Sequence, residues 1–331
     1  MPRLILHLGI HKTGSSAIQS ALARNVGALR KQRMIYPDFP SLPAARAGKV
    51  SSGNGLPLAK LLGSSTPYAQ PVSCDRIHTE LEDAYSKGCD LLYSSEALLL
   101  IESEKAAEFF EFAETIGFAT KLVLYVRSVA DLAVSTYHQE VKQKRMTGSF
   151  SDFLSSFDAE PLRSALALCR AFGHDRMLVR NYDAHRGDLI EDFFRHMLGF
   201  WPLDGFFLDH LLVNPSLSEA ELAIMRTMNS VLTDPRHSRI AAEALMTANR
   251  TVNHACTISH EDYQAIETRF SSLVTDINAF VQDVPITLKS NALVIGETAE
   301  LRLSEIEAAL ARLSANIIEL VGAMRRPKRL H

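Results

Sequence analysis

The run Leu4-Ile5-Leu6-His7-Leu8 stops at Gly9, a loop carrying His11, Lys12, Thr13, Gly14, Ser15 and Ser16 follows, and apolar residues then recur at Ile18, Leu22, Val26 and Leu29. A short β-prone run, a loop with a second glycine and a period near 3.6 predict strand, loop and helix in immediate succession, with the helix beginning near Ser15. At such a junction the loop amides and the positive end of the helix dipole converge on one point. Lys12 and the hydroxyls of Thr13, Ser15 and Ser16 are in reach of it. The guest this suits is a phosphate or a sulfate; the alternative is an ordinary strand-to-helix turn.

Three more strands are readable downstream. Cys89-Asp90-Leu91-Leu92-Tyr93-Ser94-Ser95-Glu96 is an apolar run that ends in polar residues, Thr120 to Val126 is the clearest strand of the chain and delivers Arg127, and Met177 to Asp183 carries Arg180 and Tyr182. Helical segments separate them at 75–87 and 104–116, the pattern of an α/β chain with a parallel sheet. Ligands of such sheets collect at the carboxyl ends of the strands, which puts Glu96 and Arg127 at the same edge as Lys12. Glu96 there is either a catalytic carboxylate or a helix-favouring charge behind a Ser94 or Ser95 cap. After Arg127, Asp131, Ser135 and His138 recur at helical spacing. A guanidinium at a strand end and a hydroxyl two turns into the next helix suit a dianionic phosphate. For Arg180 and Tyr182 a contact with nucleotide or acceptor and a helix-cap salt bridge are both open.

The loop is not a Walker A box, since G-x-x-x-x-G-K-[ST] places its lysine after the second glycine and Lys12 precedes Gly14. The order G-x-x-K-T-G-[ST]-[ST], read from Gly9 to Ser16, resembles the 5′-phosphosulfate loop of sulfotransferases that use 3′-phosphoadenosine 5′-phosphosulfate (PAPS). The stretch R-x-x-x-D-x-x-x-S-x-Y, from Arg127 to Tyr137, is similar to the 3′-phosphate motif of the same family, with Val129 where many members have proline. The segment around Arg180 and Tyr182 is similar to the family's arginine-tyrosine segment after its fourth strand. The likeness covers about residues 1 to 200; the glycine-rich adenosine loop of the cytosolic enzymes is not visible, and the chain looks more like the bacterial and carbohydrate-modifying branches.

The resemblance implies a three-layer α/β/α fold with a central parallel sheet, of the P-loop-like sulfotransferase kind, with a helical carboxyl-terminal extension. It implies PAPS as sulfuryl donor, no required metal, and a hydroxyl or amine acceptor, with a saccharide or glycolipid the first expectation. His11, Lys12, Thr13, Gly14, Ser15, Ser16, Arg127, Ser135, Arg180 and Tyr182 would bind the donor. Lys12 would neutralise charge on the leaving phosphate, and Glu96, at the end of the strand where the family keeps its base, would take the acceptor's proton. His138 is the rival base, and His7, inside its strand, is expected to be packed. Two other readings stand beside this one: a nucleotide-dependent kinase with a degenerate phosphate loop, and a catalytically silent protein that binds sulfated or phosphorylated ligands.

The 331 residues carry a net charge of -3, which leaves no broad basic excess for a nucleic-acid backbone. Residues 1–30 lack the apolar core of a signal peptide, no stretch approaches a membrane span, and four scattered cysteines without a C-x-x-C pair indicate neither zinc nor a disulfide framework; the expected compartment is the cytoplasm. Residues 36–73, dense in proline and glycine, read as a lid or acceptor-binding wall or as a surface excursion, with a short helix at 56–62. The expected organisation is a donor-binding core over 1–212 and a helical extension over 213–331. Helices are predicted at 219–232, with a Ser218/Glu221 capping box, at 238–250 and at 260–281. The last helix, 299–324, has an apolar seam of Leu303, Ile306, Leu310, Leu313, Ile317, Leu320 and Met324. Three heptads favour packing on its own domain over a homodimer.

Overall fold

A computed structural model describes residues 1–67, 73–209, 217–232, 234–248, 256–296, 310 and 313–314. Two compact units interleave along the chain, the first built from 1–128, 159–213 and 271–287, the second from 129–158, 214–270 and 288–331.

The first unit contains a five-stranded sheet, all parallel, in the order β2-β3-β1-β4-β5: β1 Arg3–Leu8, β2 Met34–Ile35, β3 Asp90–Ser95, β4 Ala119–Val126 and β5 Met177–Asn181. β1 is central, with Leu6 opposite Tyr93 on one side and opposite Leu122 on the other. Strands covered on both faces read as continuous apolar runs, which is why β1, β3 and β4 were readable from sequence. Alternate residues Ile5, Leu92, Val123 and Tyr125 face a cluster made by Ile18 and Leu22 of the helix Ser15–Arg24, by Leu29, and by Phe193 and Phe194. The intervening Leu4, Leu6, Leu91 and Leu124 are fully buried on the other face, where the helices Cys74–Ser86, Ser103–Ile116 and Glu160–Arg176 pack on β3, β4 and β5. Each such Leu, Ile or Phe contributes roughly 1.5–3 kcal/mol by leaving water. The result is a mixed α/β architecture with a central parallel sheet flanked by helices, in three layers.

Three details depart from the sequence reading. The edge strand Met34–Ile35 is two residues long and was not expected. The helix Glu160–Arg176 was not anticipated either, although Pro161 near its start and the buried series Leu162, Ala165, Leu166 and Cys169 mark it. Beyond β5 the chain returns: Gln282 donates its amide to the Val179 carbonyl at 3.0 Å and its side chain to that of Met177 at 2.9 Å, so a segment far along the sequence closes the β5 edge.

The second unit holds the helices Val129–Lys144, Phe150–Ser156, Glu219–Val231 and Pro235–Ala248 and the start of His260–Asn278. The expected Ser218/Glu221 capping box is present: Ser218 Oγ accepts from the Glu221 amide at 3.2 Å while the Glu221 carboxylate accepts from the Ser218 amide at 2.9 Å. This part of the chain is not purely helical, because β6 Cys256–Ile258 and β7 Leu293–Ile295 pair in parallel. Segments of three residues, 35 apart, carry no readable alternation. The seam of the last predicted helix lies outside the described residues except for Leu310 and Leu313, both helical. Among the described residues no helix is long and apolar enough to cross a membrane.

Candidate anion site at the carboxyl edge of the first unit

The connections that leave β1 and β4 run to opposite ends of the sheet, so these neighbouring strands form the switch point at which α/β sheets open a crevice. The loop after β1 and the residue after β4 meet there. Arg127 Nη1 donates to the Lys12 carbonyl at 2.9 Å. Its guanidinium lies 3.5 Å from the Asp183 carboxylate and 5.2 Å from the centre of the Tyr182 ring, and the residue is only 6% exposed.

Within the loop, Lys12 sits at φ 67 and Gly14 at φ 77. Gly14 is required twice over, by the left-handed backbone and by space, since a Cβ would come within 2.2 Å of Leu189 Cδ2. Lys12 has no such licence. A non-glycine residue in that region costs on the order of 1–2 kcal/mol, which marks a position where a side chain is kept against backbone preference. Burial lowers the Lys12 ammonium below its usual range, and the neighbouring Arg127 adds to that, against the opposing pull of Glu96. Two cations, Lys12 and Arg127, thus stand beside one another with the Glu96 and Asp183 carboxylates near them.

The helix Ser15–Arg24 starts directly behind, with Gly14 as its N-cap and no side-chain cap. Its first amides therefore point into the loop as free donors. The hydroxyls are less available than the sequence suggested: Thr13 Oγ1 and Ser15 Oγ both donate back to the Ile10 carbonyl, at 2.9 and 3.0 Å, and both residues are buried. Ser16 is half-buried, and its hydroxyl makes no hydrogen bond among the described residues.

At the end of β3, Glu96 Oε2 meets His11 Nδ1 at 2.8 Å, both side chains reaching solvent. That hydrogen bond raises the His11 pKa above 6.5, reinforced by the Glu96 charge and opposed by burial and Lys12. Glu96 can stand so close because Gly9 has no side chain; a Cβ there would lie 2.9 Å from Glu96 Cγ and 2.8 Å from Ser15 Oγ. His7 is packed, as expected: it bonds Ser94 Oγ at 2.8 Å, meets the Phe193 ring edge-on at 5.0 Å, and burial lowers its pKa to about 3.

Other named residues fall elsewhere. Arg180 is held by Asp192 through two bonds of 2.9 and 2.6 Å, with Asp283 at 3.6 Å and His185 at 3.0 Å, a largely buried ion network. Tyr182 stacks under Arg127 and beside Gly14. Ser135 is half-buried on the helix Val129–Lys144 of the second unit; the base of the rival assignment, His138, is buried on the same helix, with its Nε2 3.9 Å from Cys256 Sγ.

Three carboxylates and two side-chain amides with structural duties here were not singled out by sequence. Asp183 accepts the Ser128 amide and hydroxyl at 2.7 and 2.8 Å, and Asn181 Oδ1 accepts the Asp183 amide at 2.8 Å. Asp192 pairs Arg180 and also accepts from Tyr125 at 2.5 Å. Asp283 receives the Asn181 amide at 3.1 Å. Asn54, from the proline- and glycine-rich segment, is buried and clamps β3, donating to the Leu92 carbonyl at 2.9 Å and accepting the Ser94 amide at 2.7 Å. The expected short helix of that segment is present as Leu56–Leu61, and a second lies at Leu42–Arg46.

Searches against protein-family models, curated proteins and solved structures each find no match to this chain.

Proposed function

We propose that the first unit binds PAPS and that the protein transfers its sulfuryl group to a hydroxyl or amine acceptor, a saccharide or glycolipid hydroxyl being the first choice. The observation that carries this reading is the left-handed Lys12, held by Arg127 through its own carbonyl in front of an uncapped helix. Loop amides, an ammonium and a guanidinium on one spot suit two phosphate groups of one nucleotide better than a single structural turn. The parallel order β2-β3-β1-β4-β5, with the loop at its switch point, agrees with a P-loop-like arrangement, and the fold alone does not decide the chemistry.

In this reading Lys12 and the amides at the start of the helix Ser15–Arg24 hold the 5′-phosphosulfate, and Arg127 serves the 3′-phosphate. The acceptor oxygen attacks sulfur, the bond from sulfur to the bridging oxygen breaks, and that oxygen leaves with the electron pair as part of the phosphate. Lys12 stabilises the charge gained there. The acceptor's proton passes to the Glu96 carboxylate, which His11 orients through its 2.8 Å bond.

Calorimetric titration with adenosine 3′,5′-bisphosphate, AMP and ATP in the presence of a chelator tests the reading. The bisphosphate is expected to bind at least tenfold more tightly than AMP. Preference for ATP, restored by magnesium, would instead support the kinase alternative. Bisphosphate binding without transfer to any acceptor in a broad panel would leave a binding protein.

A further inference from the structure

The second unit contains a cavity of about 350 Å³ that the anion site does not involve, with Tyr137, Phe150, Glu219, Arg226 and Asp262 in its lining. That volume lies at the small end of the roughly 300–1,000 Å³ of ligand pockets. We propose that this cavity binds a small primary amine carrying an apolar or aromatic body, with the Asp262 carboxylate as its ion-pair partner.

Asp262 is the observation that points to a ligand. It lies in the first turn of the helix His260–Asn278, where its amide is satisfied by Ser259 Oγ at 3.0 Å. Its side chain lines the cavity, is only 8% exposed, and accepts no hydrogen bond among the described residues. A largely buried carboxylate that faces a cavity and takes no protein donor keeps its acceptor capacity for a ligand cation. The surrounding charges do not supply one. Glu219 adds a second carboxylate, with one oxygen taken by the Thr257 amide at 2.8 Å, and the Nε of Arg226 is directed to the Thr147 carbonyl at 3.1 Å. Two carboxylates against one guanidinium leave the lining one negative charge in excess, the complement of an ammonium.

The aromatic part of the lining favours an organic rather than an inorganic cation. Tyr137 and Phe150 meet edge-to-face at 5.6 Å and both line the cavity, which suits an apolar body and cation–π attraction. The thiol of Cys256 and the ring of His138, 3.9 Å apart at the same cavity, raise the question of a metal. Among the described residues no three His, Cys, Asp or Glu side chains converge in a way that could hold one.

Phenethylamine is the probe, compared on the full chain by calorimetry with its neutral isostere 2-phenylethanol and with the anion 3-phenylpropionate. The amine is expected to bind in the millimolar range or tighter, the other two at least tenfold more weakly, and Asp262→Asn to weaken the amine at least tenfold while leaving 2-phenylethanol unchanged. The wild-type comparison stands even if the variant folds poorly. Equal binding of amine and alcohol, preference for the anion, or no binding of the amine at 10 mM overturns the proposal. Titrations with adenosine 3′,5′-bisphosphate read the other unit, so the two readings fail independently.

Discussion

The guanidinium of Arg127 donates to the carbonyl of Lys12 at 2.9 Å, although 115 residues separate them. The first residue after β4 thus holds the backbone of the loop after β1 in its left-handed turn. Both the shape of the candidate anion site and half of its charge depend on that bond. Arg127→Ala leaves Asp183 buried without its cation, so a loss of about 3–5 kcal/mol is expected in denaturant unfolding. Arg127→Lys retains the charge and is expected to fold better, yet to bind adenosine 3′,5′-bisphosphate at least tenfold more weakly than wild type, because a lysine cannot span Lys12, Asp183 and the Tyr182 ring. Undiminished binding by Arg127→Lys would remove this residue from the proposed nucleotide site.

Lys12 separates structural from functional retention by the sign of two effects. Lys12→Gly relieves the left-handed strain and is expected to raise or preserve stability, by up to about 1 kcal/mol. The same variant loses the ammonium, so bisphosphate affinity is expected to fall at least tenfold. A variant that gains stability and keeps affinity would make the lysine incidental.

How much of this was visible in the sequence follows from distance along the chain. The loop, its two glycines and the strands at 90–95 and 119–126 are local signals, and the structure has them where the apolar periods put them. Asp183, Asp192 and Asp283 are exposed-looking acids in the sequence; only the closing of β5 by residues 281–283 and the turn at Asn181 bring them onto Ser128, Arg180 and the Asn181 amide. The inward turn of the Thr13 and Ser15 hydroxyls was equally hidden, since it depends on where the Ile10 carbonyl points. Asn54 belongs to a stretch whose composition announces turns and nothing more.

The two histidines flanking the strand end are expected to titrate in opposite directions. NMR should place His11 above 6.5 in the wild type, and Glu96→Gln should lower it, because the charge-assisted bond is lost. The histidine whose folded pKa is raised stabilises the protein fully below about pH 6.5, and that contribution disappears as pH rises through the folded value. His7, lowered to about 3, behaves oppositely: the unfolded chain takes up a proton below about pH 6.5 and the folded one does not, so stability falls from there down to about pH 3. His7→Phe should flatten that limb in unfolding measured between pH 4 and 7. A limb unchanged by the substitution would show that other groups govern it.

Asn54→Ala is expected to cost on the order of 3 kcal/mol, since it strips partners from the Leu92 carbonyl and the Ser94 amide in a buried place. Faster amide exchange at Ser94 in the variant checks the cause. Exchange that stays slow would mean that another group takes over the clamp.

The sheet order also sets when the site can exist during synthesis. β1 leaves the ribosome first and β3 can pair with it, yet the other flank of β1 stays open until residues 119–126 have emerged. A nascent chain that stops short of β4 therefore carries the whole loop but lacks the guanidinium that shapes it. On the proposed reading, affinity for adenosine 3′,5′-bisphosphate that appears only after residue 127 has cleared the exit tunnel would mark the moment at which the two halves of the sheet close around their first strand.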